Sequence, residues 1–361
     1  MATQATSIPE ASAGTMLNSP TAPAPAVPDT MTASVLVRQG ELRTEQRPVP
    51  APGPGEVLVR ITSVGVCGSD THYFTHGRIG SFVVDSPLVL GHEPAGVVVA
   101  LGPGVTDREA GQRVSLEPGI PDPLSRQSLA GCYNLDPGVR FFATPPIDGV
   151  FSEYAVHPAA FCHPVPDSVS DDAAALLEPL SVALAARAAG KVQLGDKVLV
   201  AGAGPIGLLI SKVAQLAGAT VTLTDVRAER LEIAEAYGAA QTFTAANQPP
   251  VVPEFDVFID ASGAERAILG GLERLAPRGR AVLVGMGADT VALPVPLLQG
   301  RELTITGTFR YANTWPTAIE LAASGQVDLD GLVTSTHGLA DVEAALTAGA
   351  TPGALKAMVH P

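Results

Sequence analysis

The segment Lys197–Asp225, KVLVAGAGPIGLLISKVAQLAGATVTLTD, decides the fold of this chain. Its short apolar run predicts a strand over Lys197–Ala201, and Pro205 opens a predicted helix that continues to Ala217. A second strand is predicted over Thr220–Asp225. Strand, helix and strand in close succession are typical of a parallel sheet with a crossover helix.

The turn between the first strand and the helix carries the pattern Gly-x-Gly-x-x-Gly. Gly202 permits the tight turn, Gly204 lets a pyrophosphate approach the backbone, and Gly207 allows close helix packing. The helix N-terminus then presents partial positive charge to the phosphates. A glycine-rich turn without a ligand is the alternative, which the strand before and the helix after disfavour.

Asp225 ends the second predicted strand, at the position where dinucleotide sites place an acidic residue. Its carboxylate can accept hydrogen bonds from both ribose hydroxyls and would repel a 2′-phosphate, so NAD is favoured over NADP. Arg227 and Arg230 keep NADP open as a lesser alternative.

The alternation continues through predicted elements at Asp256–Ala261, Ala264–Leu275, Arg280–Val284 and Leu303–Thr308. The fold class is therefore α/β, with a doubly wound parallel sheet. Short strands broken by Gly and Pro predict a β-rich first half. We expect a disordered tail over 1–30, a β-rich domain over 31–180 and 311–361, and a nucleotide-binding domain over 181–310. Met31 is the expected native start.

Composition excludes several classes of protein. The chain of 361 residues has a formal net charge of -14 and no Lys/Arg cluster, which disfavours nucleic-acid binding. No apolar run is long enough to span a membrane. Three cysteines form an odd, sparse set that suggests a reducing compartment. The first 30 residues contain no Lys or Arg, so neither a secretory nor a mitochondrial leader is indicated and a cytoplasmic location is expected.

Two motifs carry candidate metal ligands. Cys67 lies in Cys-Gly-Ser-Asp, and His92-Glu93 lies in Gly-His-Glu-Pro-Ala-Gly, with Glu178 as a further carboxylate in Glu-Pro-Leu. A thiolate, an imidazole and a carboxylate are the ligand types of a catalytic zinc with one open position. Singly, each has a plainer interpretation as a packed thiol, a core histidine or an ion-paired acid. Together with a nicotinamide site they predict hydride chemistry on an alcohol.

The chain resembles zinc-dependent medium-chain alcohol dehydrogenases, and most closely their sorbitol (polyol) dehydrogenase branch. The match extends from about Ser34 to the end of the chain. It implies a GroES-like catalytic domain beside a Rossmann domain, one catalytic Zn²⁺ per chain, NAD as cofactor, and a homo-oligomer, a tetramer or a dimer. The stretches that carry it are Cys67–Tyr73, His76–Gly80, Gly91–Gly96, Phe141–Pro146, Glu178–Val182, Gly202–Gly207 and Phe309–Pro316.

The resemblance also implies residue roles. Zinc would be held by Cys67, His92 and Glu93, with Glu178 beside the metal or entering its shell. Ser69 and His72 would form a proton relay. The polyol pocket would be lined by Tyr73, Phe141, Thr144, Glu178, Arg310 and Tyr311. Besides the three glycines, NAD would contact Ile206, Asp225, Arg230, Val284, Gly285 and Met286.

One region departs from the pattern of the family. Many relatives hold a structural zinc on four closely spaced cysteines, whereas Leu116–Leu135 contains only Cys132. One thiolate cannot build a closed tetrahedral site, so we expect no structural zinc.

The expected function is oxidation of a secondary hydroxyl of sorbitol, xylitol or arabinitol to a ketose, with no nucleic-acid or membrane partner. A dehydrogenase of threonine or of a simple secondary alcohol is a second hypothesis, which Glu178 and Arg310-Tyr311 disfavour because they suit a polyhydroxylated ligand. A third is a catalytically silent nucleotide-binding protein on the same fold. This chain keeps every metal ligand, which argues against that hypothesis.

Overall fold

The computed structural model describes residues 27–247, 254–287 and 289–361. The tail prediction for residues 1–26 lies outside this part of the chain. The first strand begins at Thr30, one residue before Met31, and Thr30 pairs with Pro48.

The described residues form twenty strands and ten α-helices. The strands are β1 Thr30–Arg38, β2 Glu41–Pro48, β3 Glu56–Gly65, β4 Arg78–Ile79, β5 Phe82–Val83, β6 Leu88–Val89, β7 Glu93–Leu101, β8 Arg113–Leu116, β9 Gly119–Ile120, β10 Arg140–Phe141, β11 Tyr154–Pro158, β12 Cys162–Pro164, β13 Lys197–Ala201, β14 Thr220–Asp225, β15 Gln241–Thr244, β16 Phe255–Asp260, β17 Leu275–Leu283, β18 Thr304–Gly307, β19 Val333–Gly338 and β20 Lys356–His360. The helices are α1 Gly68–His76, α2 Arg126–Leu129, α3 Asp171–Ala175, α4 Leu177–Ala189, α5 Pro205–Leu216, α6 Ala228–Ala236, α7 Glu265–Glu273, α8 Val295–Arg301, α9 Trp315–Ala323 and α10 Val342–Thr347.

The predicted doubly wound sheet is confirmed. Its six parallel strands lie in the order β15-β14-β13-β16-β17-β18, and the order reverses between β13 and β16. Ligands of such sheets bind in the crevice outside the carboxyl ends of the strands at this reversal. Gly202 follows β13 directly, and a carbon in place of its Cα hydrogen would lie 3.1 Å from the Ala261 carbonyl after β16.

The β-rich part has a mixed sheet in the order β12-β8-β7-β3-β20-β19, with β11 also paired to β3. The last strand of the chain, β20, runs antiparallel to β3 and places Met358 opposite Gly65. A second, three-stranded sheet has the order β2-β1-β6. The chain therefore returns at its end to complete the sheet that it began.

The segment between β8 and β11 contains only short elements. These are β9, α2, β10 and one 3₁₀ turn at Tyr133–Leu135. We call residues 126–135 the lobe. None of the helices among the described residues combines the length and apolar character that crossing a bilayer requires.

Gly207 is fixed by the way α5 packs against the turn that precedes it. A methyl group at Gly207 would lie 1.7 Å from the carbonyl oxygen of Gly202, far inside van der Waals contact. Gly204 differs, because its φ is -79° and the nearest atom to an added methyl is a side-chain nitrogen of Arg230 at 3.5 Å.

Gly207→Ala should therefore destabilise the parallel-sheet domain, whereas Gly204→Ala should fold like the wild type. Overpacking of this kind costs about 1–3 kcal/mol, so we expect the melting temperature of the first variant to fall by several degrees. Differential scanning calorimetry of the two variants checks this. Equal melting temperatures for both variants would contradict the packing argument.

Candidate active site

The pairing of β3 with β7 brings the predicted metal ligands together. Gly65, the last residue of β3, lies opposite Glu93, the first residue of β7. Cys67 follows two residues after Gly65 and precedes α1, and His92 immediately precedes Glu93. One donor atom from each of Cys67, His92 and Glu93 lies within 4.8 Å of the other two.

This donor set fits zinc. Ligand atoms around a tetrahedral zinc lie roughly 3.5 Å apart, given metal–ligand distances of about 2.0–2.3 Å. Three donors within 4.8 Å of one another can therefore share one ion after small movements. His92 and Glu93 are buried, and Cys67 is half-buried.

Asp70 orients two of these ligands. Its fully buried carboxylate accepts hydrogen bonds from the backbone N–H of Cys67 at 3.1 Å and of Gly91 at 2.9 Å, and lies 3.5 Å from His92 Nδ1. Burial acts to lower the pKa of His92, but the neighbouring Asp70 and Cys67 outweigh it, so that the pKa lies well above 6.5. A carboxylate behind a metal-binding histidine fixes the orientation and basicity of its ring.

Lys356 holds the Glu93 carboxylate. Its ammonium group lies 2.5 Å from Glu93 Oε1, contacts Oε2 as well, and donates to the Val66 carbonyl at 2.9 Å. Both side chains are almost completely buried. A methyl group at Gly65 would lie 2.0 Å from Glu93 Oε2, so glycine is needed where this ion pair packs.

Glu178, the second residue of α4, is a buried carboxyl that accepts a hydrogen bond from Tyr311 Oη at 2.7 Å. Burial first, and then the negative charge of Glu93, raises the pKa of Glu178 to about 7. Burial and the charge of Glu178 likewise raise the pKa of Tyr311 well above 10, so its hydroxyl is kept as a hydrogen-bond donor.

The remaining predicted pocket residues surround the same point. The guanidinium carbon of Arg310 lies 3.7 Å from the centre of the Phe141 ring, and Arg310 donates to Thr144 Oγ1 at 3.2 Å. The Phe141 ring is 5.8 Å from the ring of His92. Tyr73 is also buried here, and burial raises its pKa to about 12 against the influence of His92 and Arg310.

The proposed relay residues both lie on α1. Ser69 is half-buried, and His72 is exposed with its ring centre 5.3 Å from that of His76. The helix therefore leads from the metal ligands toward solvent, but the relay itself stays a prediction.

The dinucleotide residues line the crevice of the parallel sheet. Asp225 accepts from the backbone N–H of Ala203 at 2.7 Å and of Arg227 at 2.9 Å, which fixes its carboxylate beside the glycine turn. A side-chain nitrogen of Arg230 lies 3.5 Å from the position that a methyl group on Gly204 would take, and Ile206 is the second residue of α5. Val284, Gly285 and Met286 follow β17 at the same edge of the sheet, and half of the Met286 side chain is exposed.

Sequence reasoning missed three residues that shape the site. Asp260 ends β16 and accepts from Ser262 and Gly263, so it holds the turn opposite Gly202. Asp70 and Lys356 orient metal ligands. In the sequence, Asp70 is recognisable only as an acidic residue three positions after the helix cap. Lys356 is recognisable only as a lone lysine in an apolar stretch.

Comparison with known proteins agrees with this geometry. Residues 53–167 match the family described as alcohol dehydrogenase GroES-like domain, and residues 205–324 match the family described as zinc-binding dehydrogenase. Sorbitol dehydrogenase of Gallus gallus is 44% identical over 315 residues, covering 84% of this chain and 88% of that protein. A putative D-xylulose reductase of Agrobacterium fabrum is 42% identical over 321 residues, covering 85% and 92%.

A solved structure shares the whole fold. The alcohol dehydrogenase of Escherichia coli CFT073 in complex with NADH superposes with a TM-score of 0.86 at 28% identity, covering 92% of this chain and 100% of that chain. The zinc and NAD predictions are confirmed by these relatives together with the donor cluster.

Cys67→Ser should lose zinc without unfolding, because a serine hydroxyl binds zinc far more weakly than a thiolate and the half-buried position tolerates it. We expect one zinc per chain in the wild type and close to none in the variant, with NADH binding retained. Elemental analysis and NADH fluorescence titration measure both quantities. Two zincs per wild-type chain would contradict the single-site prediction.

Glu178→Gln should change the pH dependence of stability in zinc-free protein. The folded protein holds the Glu178 proton more tightly than the unfolded chain does, since its pKa is raised from 4.5 to about 7. This stabilisation is complete below about pH 4.5 and is lost as pH rises through 7. Between pH 5.5 and 8 the wild type should lose on the order of 2 kcal/mol relative to the variant. Thermal unfolding of both proteins across this pH range checks this. If the melting temperatures of the wild type and the variant change with pH in parallel, Glu178 is not buried as described.

Proposed function

We propose that this chain, which belongs to the zinc-dependent medium-chain alcohol dehydrogenase family, transfers a hydride from a secondary hydroxyl carbon of a polyol to NAD. The product is a ketose, and sorbitol, xylitol and arabinitol are the candidate substrates. The single observation that carries the choice of substrate is the Glu178–Tyr311 hydrogen bond, with Arg310 held beside the metal ligands.

Cys67, His92 and Glu93 would hold the metal. Glu178 is not one of the donors that lie within 4.8 Å of one another, but the charges of Glu93 and His92 act on its carboxyl, which supports a role beside the metal. Bound zinc supplies Lewis-acid chemistry, because it strongly lowers the pKa of a hydroxyl. Asp70 and Lys356 keep the His92 ring and the Glu93 carboxylate in place before any substrate arrives.

The substrate side of the site combines groups of different chemistry. Glu178 accepts hydrogen bonds, Arg310 and Tyr311 donate them, and Phe141 gives an apolar wall. A site built to bond several hydroxyls discriminates strongly against an analogue that lacks them, because its buried polar groups would be left unpaired. This supports a polyol over a simple alcohol.

Ser69 Oγ and His72 would carry the hydroxyl proton away. Ser69 lies two residues from Cys67 in the first turn of α1, and His72 is exposed one turn further on. The fixed carboxylate of Asp225 would read the adenosine ribose and favour NAD.

A second candidate is a substrate that carries a carboxylate, such as threonine. The guanidinium of Arg310 favours it, since arginine binds carboxylates well. Glu178 opposes it, because its negative charge would repel that group. We also propose a homo-oligomer, a dimer or a tetramer, and a cytoplasmic location. The outer edge of β18 has no further strand within the described chain and is free to meet a second copy.

A panel of kcat/KM values tests the proposal. We expect a polyol with NAD to exceed threonine, 2-butanol and the same polyol with NADP by at least about tenfold, because each unpaired buried group weakens the transition state. A clear preference for threonine or 2-butanol would refute the polyol assignment. Full zinc occupancy without turnover of any alcohol would favour a silent nucleotide-binding protein.

A further inference from the structure

We propose that the lobe acts as a clamp on the pocket loop, residues 309–313, and thereby positions Arg310 and Tyr311 for substrate. The expected effect on the preference for polyols rests on the proposed function. The contacts between the lobe and the pocket loop do not depend on it.

The backbone of the pocket loop has an unfavourable conformation at two residues, which needs support from neighbouring segments. Arg310 has a φ of 54° and Asn313 a φ of 59°, both in the left-handed region that side chains other than glycine seldom adopt. Such residues persist when the surrounding structure fixes them. The two strained positions bracket Tyr311, whose hydroxyl must reach Glu178.

Three hydrogen bonds between the lobe and the pocket loop hold both ends of the loop. Asn134 Nδ2 donates to the Phe309 carbonyl at 2.8 Å. Asn313 Nδ2 donates to the Gly131 carbonyl at 2.9 Å, and the Asn313 backbone N–H donates to Tyr133 Oη at 2.7 Å. These contacts join segments that are 175 to 182 residues apart in sequence.

The lobe is in turn fastened to the interior. Tyr133 Oη donates to Glu117 Oε1 at 2.6 Å, and the other oxygen of this buried carboxylate lies 2.9 Å from His163 Nε2. Glu117 directly follows β8, whose Ser115 accepts from Trp315 Nε1 at 3.1 Å. The loop is thus tied to one buried strand both through Tyr133 and through the tryptophan that follows the loop.

The position of the guanidinium depends on this clamp. Arg310 lies between the rings of Phe141 and Phe309, at 3.7 Å and 4.7 Å from their centres. Because Asn134 holds the Phe309 carbonyl, loss of that bond frees one side of the arrangement. Small displacements of positioning groups reduce rates strongly, so the clamp determines how well distal hydroxyls are held.

The test uses the zinc-loaded full-length protein with Asn134→Ala, Asn313→Gly and the double variant. Glycine accepts a positive φ, so Asn313→Gly removes the side-chain bond without adding strain. Asn247→Ala is the matched control, because Asn247 is exposed and, among the residues that the structure describes, only its backbone N–H makes a hydrogen bond. The substrates are sorbitol and 2-butanol with saturating NAD, and hydrogen exchange is followed on the peptide that contains residues 309–315.

Each clamp variant should lower kcat/KM for sorbitol about five- to tenfold, mainly through KM, while changing that for 2-butanol less than twofold. Exchange of the loop peptide should become faster, and zinc content and NADH affinity should stay as in the wild type. The control should match the wild type in every measurement.

Equal losses on both substrates would overturn the proposal, since the lobe would then support only general stability. Unchanged exchange of the loop peptide would overturn it as well. A wild type that oxidises no polyol would refute the proposed function instead, and the exchange measurement would still decide whether the lobe positions the loop.

Discussion

The burial of several acidic side chains constrains the whole structure. Asp70, Glu93 and Glu178 are almost completely buried, and the Cys67 sulfur lies within 4.8 Å of a Glu93 oxygen. Burying a carboxylate is unfavourable unless a cation or several donors compensate it. Lys356 compensates Glu93, and the His92 ring with two backbone amides compensates Asp70. Burial and the charge of Glu93 raise the pKa of Glu178 to about 7, and a divalent cation held by Cys67, His92 and Glu93 would favour its charged form.

The same constraint explains why distant parts of the chain meet here. Glu93 comes from β7, Lys356 from the last strand, and Glu178 from the first turn of α4. Helix α4 packs against α5, whose N-terminus faces the dinucleotide crevice. The helix that carries Glu178 therefore also supports the helix that would face the phosphates.

Local patterns were sufficient to predict the parallel sheet and the metal ligands. The bounds of β13 and β14 agree with the prediction, and the three donors meet because one motif follows β3 and the other leads into its partner β7. The Lys356–Glu93 pair could not be predicted, since it depends on how strands 263 residues apart align. The bonds of Asn134 and Asn313 had the same difficulty. A polar residue in a loop gives no sign of its distant partner until the topology is known.

The lobe is held by hydrogen bonds to neighbouring segments. With Cys132 alone, this segment cannot close a tetrahedral site, and its short helix is too brief to be stable by itself. Its order therefore comes from contacts outside the lobe, with Glu117 and with the pocket loop. A structural zinc would fix a lobe independently of its neighbours, whereas hydrogen bonds to the loop make the two segments stabilise each other. The order of the lobe and the order of the substrate pocket then depend on each other. Substitutions on the lobe surface therefore affect the pocket.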